Sequence, residues 1–232
     1  METNGGKIRK KIVGAAASFE LAAPLIFIVY SVHTVIKYKK ENPLYIRKGG
    51  NFKNAKQLWM NLDEIPIQMM ELVVLKEDSN FFFHKGVVFN QLLDGFICYV
   101  LNGFKPSFGF STISQQTAKI IFLYHDRTIL RKILEAYYTA LIELFWSKER
   151  ILEVYLNSVE VGKDLYGVQT GAFHFFSRTL SELTLYEKGL LACCLTNPHI
   201  NKVDQPSENF KQGCSNFLDF YEHLVSTKEK RR

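Results

Sequence analysis

Cysteine is scarce in this chain of 232 residues, and the little there is does not pair. Cys98, Cys193, Cys194 and Cys214 show no CxxC spacing, which excludes an ordinary cysteine-based zinc site. The first three sit in apolar stretches, as buried thiols do, and so leave the redox compartment open. Internal repeats and low-complexity tracts are also missing, which excludes a solenoid or a linker-like protein. Strand-like alternation is rare, so the class is mainly α. No basic run interleaves with aromatics in a nucleic-acid pattern, and no nucleic acid partner is expected.

Hydrophobic residues are abundant, at 47% against 22% charged. The length suits one good-sized core. The 19 Phe and 11 Tyr exceed what a water-soluble core of this size usually needs, so part of that surface is expected to meet something apolar. The formal net charge of +6 suits an anionic membrane surface or a phosphate-bearing substrate.

Lys7, Arg9, Lys10 and Lys11 precede a stretch from Ile12 to Ile36 whose only charge is Glu20, and Lys37, Lys39 and Lys40 follow it. Spanning a bilayer takes about 20 largely apolar residues. Residues 12–36 are therefore expected to be a transmembrane anchor, preceded by a cytoplasmic tail, 1–11. The small residues Gly14 to Ala17 lie before the most apolar part, not after it, which favours a retained anchor over a cleaved signal. Residues 37–61, polar and containing Pro43, Gly49 and Gly50, read as a linker, with the folded domain at 62–232.

Within that domain, apolar residues recur at helical spacing from Thr128 to Asn157, and Ser147 is placed to cap the second helix of a pair. Further helices are expected over 66–76, 89–101, 112–122 and 184–195. Three clusters along this framework carry chemistry. The first runs from Glu77 and Asp78 through Phe81 and His84 to Gly86, a carboxylate among aromatics that can serve as a general base or acid. A solvated helix cap is the ordinary alternative there. The second, Ser111, Thr112, Gln115, Gln116 and Lys119, opens a helix with hydroxyls and amides fit to hold a phosphate, or simply to cap the helix. The third sets Arg131 and Glu135 on one helical face, as a surface ion pair would be. With Lys119, Arg127 and Lys132, it can also surround a diphosphate leaving group with positive charge.

In order and wording these clusters resemble glycosyltransferase family 51, the peptidoglycan glycosyltransferases, most closely the monofunctional biosynthetic type. The resemblance covers roughly Ile65 to Pro206 and rests on Glu-Asp-x-x-Phe-x-x-His-x-Gly from Glu77, the Ser-Thr-Ile-Ser-Gln-Gln run from Ser111, Arg-Lys-x-x-Glu from Arg131, and Ile-Leu-Glu-x-Tyr-Leu-Asn from Ile151. It implies a lysozyme-like helical head, a small hydrophobic jaw over Phe89 to Phe110 resting in the membrane, and one N-terminal transmembrane helix. The implied substrates are lipid II and the growing glycan strand, at the outer face of the cytoplasmic membrane and alongside other cell-wall synthesis proteins.

By the same resemblance Glu77 is the general base that deprotonates the acceptor sugar's 4-hydroxyl. Glu135 is the second essential carboxylate, supporting the diphosphate region through basic residues or through a divalent cation, Mg2+ or Mn2+; no other cofactor is implied. Ser111, Thr112, Gln115, Gln116, Lys119, Arg127, Arg131 and Lys132 bind the donor sugar and diphosphate, while Asp78, Phe81 and His84 shape the first motif.

The chain departs from the family at Phe110, where a glycine is usual, at Ile120, where an asparagine is usual, at Val88 for an aspartate, and in Phe-Phe-Ser-Arg at 175–178. Losing the amide at position 120 weakens substrate contacts in principle. The segment after Pro206 holds no transpeptidase domain, so polymerisation without cross-linking is expected. Two other readings compete: a lysozyme-like lytic enzyme acting through Glu77, and a catalytically weak membrane scaffold that binds lipid II. Hydrolysis commonly uses a carboxyl pair, whereas the basic cluster around Glu135 favours transfer.

Overall fold

The computed structural model describes residues 24–43, 56–86, 111–123 and 128–230. The expected jaw, with Val88, Cys98 and Phe110, and the expected ligand Arg127 lie outside these residues. The chain divides into two compact units, Met1–Glu41 and Asn42–Arg232.

In the first unit residues 24–40 are helical (α1), with Leu25, Ile26, Val29 and Tyr30 exposed. This helix runs on past Ile36 into residues expected to begin the linker. Among the described residues no helix is long and apolar enough to cross a membrane, and residues 12–23 of the expected anchor lie outside them.

The second unit is mainly helical: α2 (Ile67–Glu77), α3 (Ile113–Phe122), α4 (Ile129–Phe145), α5 (Lys148–Ser158), α6 (Val168–Phe176), α7 (Leu185–Cys194) and α8 (Glu208–Glu229). A small sheet completes it, with β1 (Lys56–Gln57) parallel to β3 (Leu165–Tyr166) and β2 (Glu160–Gly162) antiparallel to β3. Residues 56–60 are thus part of the folded body and not linker. The Asn157 side chain accepts from Met60 N and donates to Met60 O, both at 2.8 Å, and Gln57 Nε2 donates to Asn157 O at 2.8 Å. This ties the entering strand to the end of α5.

Helix starts follow side-chain caps. Thr112, Thr128, Ser147, Thr184 and Ser207 each accept from the backbone N–H three residues on. A cap of this kind contributes about 1 kcal/mol and fixes where the helix begins.

Burial arranges the helices in layers. Met69, Leu72 and Val73, at i, i+3 and i+4, form the buried face of α2, which packs against α7. Helix α7 in turn packs against α8, so closely at Gly189 that a Cβ there would lie 2.7 Å from Leu218 Cδ2. Helix α3 lies against both α4 and α5, and the Phe122 and Tyr138 rings stack at 4.6 Å.

Helix α4 is inverted relative to its apolar stripe. Ile129, Ile133 and Leu144 are 73%, 60% and 73% exposed, while Glu135, Tyr138, Thr139 and Ile142 face the core. The spacing places the helix correctly, but its buried face is the one that carries a carboxylate. The thiols of Cys193, Cys194 and Cys214 are buried and unpaired by disulfides.

Candidate active site

Three chain segments converge on the first cluster. Helix α2 ends at Glu77, which presents its carboxylate half-buried at the helix terminus. Oε2 accepts from Gln116 Nε2 at 3.0 Å and Oε1 accepts from the Thr196 hydroxyl at 2.9 Å. A carboxylate offers about four lone-pair sites, so one on each oxygen stays available to an incoming hydroxyl.

Gln116 is itself oriented. Its Oε1 accepts from the Tyr155 hydroxyl at 3.2 Å, and its Nε2 also reaches Ser111 O at 3.3 Å. Burial, reinforced by Glu77, Cys194 and Asp78, holds the Tyr155 phenol well above its usual range, so it stays protonated and donates.

Asp78, the next residue, turns inward and is 5% exposed. Its Oδ2 accepts from Ile113 N, the first amide of α3, at 3.1 Å, where the positive end of the helix dipole favours a carboxylate. His84 Nε2 lies 2.9 Å from the same oxygen. Gly86 N–H donates to His84 Nδ1 at 3.0 Å, which makes Nδ1 the bare nitrogen and Nε2–H the donor to Asp78. Thr112 Oγ1 donates to Gly86 O at 2.5 Å and caps α3 together with Gln115. The first motif therefore anchors the start of α3, and α3 presents Gln116 to Glu77.

Thr112, Gln115 and Phe81 are buried at 1%, 2% and 0% exposure. Thr112 and Gln115 hydrogen-bond to one another across the helix start. Phe81 lies beneath the Lys148 ammonium, 4.4 Å from the ring centroid. Lys148 Nζ also donates to Glu143 Oε1 at 2.7 Å, and the Ser114 hydroxyl donates to the same oxygen. This half-buried group supports Gly86, whose φ of +83° and absent Cβ let the loop pass against Glu143 and Thr139.

The second carboxylate, Glu135, is 2% exposed and bound on both oxygens. Arg131 Nη1 donates to Oε2 at 2.6 Å, and Lys132 Nζ to Oε1. Lys132 also reaches Ser111 Oγ at 3.4 Å. A continuous run of contacts therefore joins the two acids: Glu77, Gln116, Ser111, Lys132, Glu135. Lys119 lies one turn beyond Gln116 on α3, half-buried. Ile120, the departure in this helix, is also half-buried.

Reasoning from sequence did not single out Thr196, Tyr155, Ser114, Glu143 or Lys148 as site residues. Tyr155 and Ser114 stand inside two of the motifs, Lys148 opens α5 three residues before the last motif, and Glu143 lies on α4 two turns beyond Glu135. Thr196 has no local signal, since its partner is 119 residues away.

The family described as Transglycosylase matches residues 45–219. The chain is 37% identical over 195 residues to a biosynthetic peptidoglycan transglycosylase of Bdellovibrio bacteriovorus, covering 80% of this chain and 77% of that one. It is 41% identical over 196 residues to a protein so named in Vibrio parahaemolyticus, covering 81% and 84%. A third, in Caulobacter vibrioides, is 35% identical over 193 residues, covering 81% and 83%. Two acids joined through Gln116, Ser111 and Lys132 lie within that matched span, and the chain belongs to the transglycosylase family, as a glycosyltransferase that builds peptidoglycan glycan strands.

Proposed function

We propose that the substrate is lipid II and that Glu77 is the general base. The acceptor sugar's 4-hydroxyl gives its proton to Glu77 as its oxygen attacks the anomeric carbon of the growing chain. The anomeric carbon–oxygen bond to the diphosphate breaks, and undecaprenyl diphosphate leaves with the bonding pair. Glu77 suits this role because two donors fix its carboxylate plane while each oxygen keeps a free lone pair.

Arg131 and Lys132, held by Glu135, supply positive charge where the diphosphate departs, with Ser111 beside Lys132 and Lys119 added to the set from α3. Arg127 belongs to the same basic set by its sequence position. The observation that carries the reading is the run of contacts from Glu77 through Gln116, Ser111 and Lys132 to Glu135. A divalent cation fits poorly at Glu135, since both its oxygens already face cationic nitrogens. The charge-neutralising work is therefore assigned to the basic side chains.

The lysozyme-like head, the membrane-resting jaw over 89–110 and a single-pass anchor over 12–36 belong to the same proposal. It also puts the catalytic domain on the outer side of the cytoplasmic membrane. The apolar character of 12–36 and the exposed Leu25, Ile26 and Val29 support the anchor, and the exposed stripe of α4 suits a neighbouring lipid surface.

The test is polymerisation of purified lipid II by the detergent-solubilised full chain, with Glu77→Gln alongside. Polymer from the wild type and none from the variant is expected. A wild type that binds lipid II without polymerising it would favour a scaffold, and cleavage of preformed glycan would favour a lytic enzyme.

A further inference from the structure

Thr196 lies just past α7, two residues after Cys194, in a segment whose chemistry the motifs leave unassigned. The turn that holds it is hydrogen-bonded throughout. Asn197 N donates to Cys194 O at 3.1 Å, Asn201 N to Asn197 O at 2.9 Å, and Asn201 Nδ2 to Cys193 O at 3.4 Å. Helix α7 packs against α2, the helix that ends at Glu77, so Thr196 follows directly on an element in contact with the one that carries the acceptor. Thr196 is exposed at the surface, yet its hydroxyl is spent on Glu77 Oε1 at 2.9 Å.

We propose that Thr196 is a positioning residue for the glycosyl transfer. Gln116 alone holds Oε2 and leaves the carboxylate free to rotate about its last side-chain bond. A second donor on Oε1, from the segment that follows α7, stops that rotation and aims one lone pair of each oxygen at the acceptor hydroxyl. The effect falls on the chemical step, because Thr196 acts through Glu77 and is not needed to hold the sugar. Misaligning a catalytic group by about 1 Å costs up to roughly a hundredfold in rate.

This inference rests on Glu77 being the base, and the experiment separates the two. Rates of lipid II polymerisation are measured with the full chain in detergent for wild type, Thr196→Val, Thr196→Ser, Thr196→Ala and Glu77→Gln. Thr196→Val and Thr196→Ala are expected to lose about tenfold to a hundredfold in kcat, with KM moving less than about threefold. Thr196→Ser, which restores the hydroxyl without the methyl, is expected to recover most of that loss. Wild-type kcat in Thr196→Val while Glu77→Gln is inactive would overturn the role of Thr196 and leave Glu77 standing. A serine variant as poor as the valine one would also overturn it, by showing that shape and not the hydroxyl matters. Activity in Glu77→Gln would instead remove Glu77 as the base.

Discussion

Replacing Gly86 by alanine places one methyl group where the first motif turns back toward α3, and the structure sets the size of the penalty. Gly86 has φ +83°, a conformation that costs an L-residue roughly 1–2 kcal/mol. The added Cβ would stand 2.7 Å from Glu143 Cγ and 2.8 Å from Thr139 Cγ2. Neither neighbour can easily give way, since Glu143 is held by Ser114 and Lys148, and the hydroxyl of Thr139 donates to Glu135 O at 2.7 Å. Overpacking a well-filled site costs typically about 1–3 kcal/mol, so the total loss is about 3 kcal/mol. For a domain of this size that lowers the melting temperature by roughly 6–12 °C. Activity falls further than stability alone requires, because the same loop supplies the Gly86 N–H to His84 and the Gly86 O to Thr112. Thermal melting followed by circular dichroism, with lipid II polymerisation measured below the transition, checks both parts. A variant within about 0.5 kcal/mol of wild type, the range of an ordinary surface change, would refute the reasoning.

The two cations on Glu135 are expected to be unequal. Arg131 is the less exposed partner, with 21% of its side chain accessible against 43% for Lys132, so Arg131→Met should lower the melting temperature more than Lys132→Met. Removing both strands a carboxylate that is 2% exposed, at a cost of about 3–5 kcal/mol, and adding Glu135→Gln should return much of it; no recovery would refute the assignment. Lys188 is 5% exposed, and burial lowers its pKa from the ordinary lysine value despite the opposing charge of Glu187. The folded chain then binds fewer protons there than the unfolded one, so stability rises with pH between the lowered value and the ordinary one. Lys188→Met should abolish that slope, read from melting temperatures across the alkaline range; an unchanged slope would count against it.

Much of the helical framework was legible because caps and periodicity are local. Ser147 announced α5, and the hydroxyls at 112 and 184 announced α3 and α7. Helix α8 was not expected: Gly213, Ser215 and Asn216 depress its propensity, and only Cys214, Leu218 and Tyr221 are buried along its length. Helix α6 was missed for a related reason, since Val168, Thr170 and Gly171 are weak helix formers that only packing holds in place. Strands of two or three residues carry no alternation to read, so from sequence β1 reads as linker.

The candidate site divides along the same line. The resemblance points to Glu77, Gln116, Arg131 and Glu135, and apart from the bond from Thr196 to Glu77 the contacts described for them fall between residues the motifs contain. The face of α4 could not be inferred from hydrophobicity, because its inward side is chosen by Glu135 and Thr139 against the apolar stripe. Thr196 and Glu143 act on the motifs from other elements, and only the packing of α7 on α2 and of α3 on α4 reveals them.

The amide of Gln116 gives this site a direction. Tyr155 gives a hydrogen to one end of it, and the other end gives a hydrogen to Glu77, so from Tyr155 through Gln116 both donated protons point toward the carboxylate. The order is set by the carboxylate, which only accepts, so the Gln116 nitrogen must face Glu77 and its oxygen is left for the Tyr155 hydroxyl. A glutamate at position 116 would be nearly the same shape and would set two anions face to face. Glutamine there is fixed by its asymmetry, and size alone would not explain it.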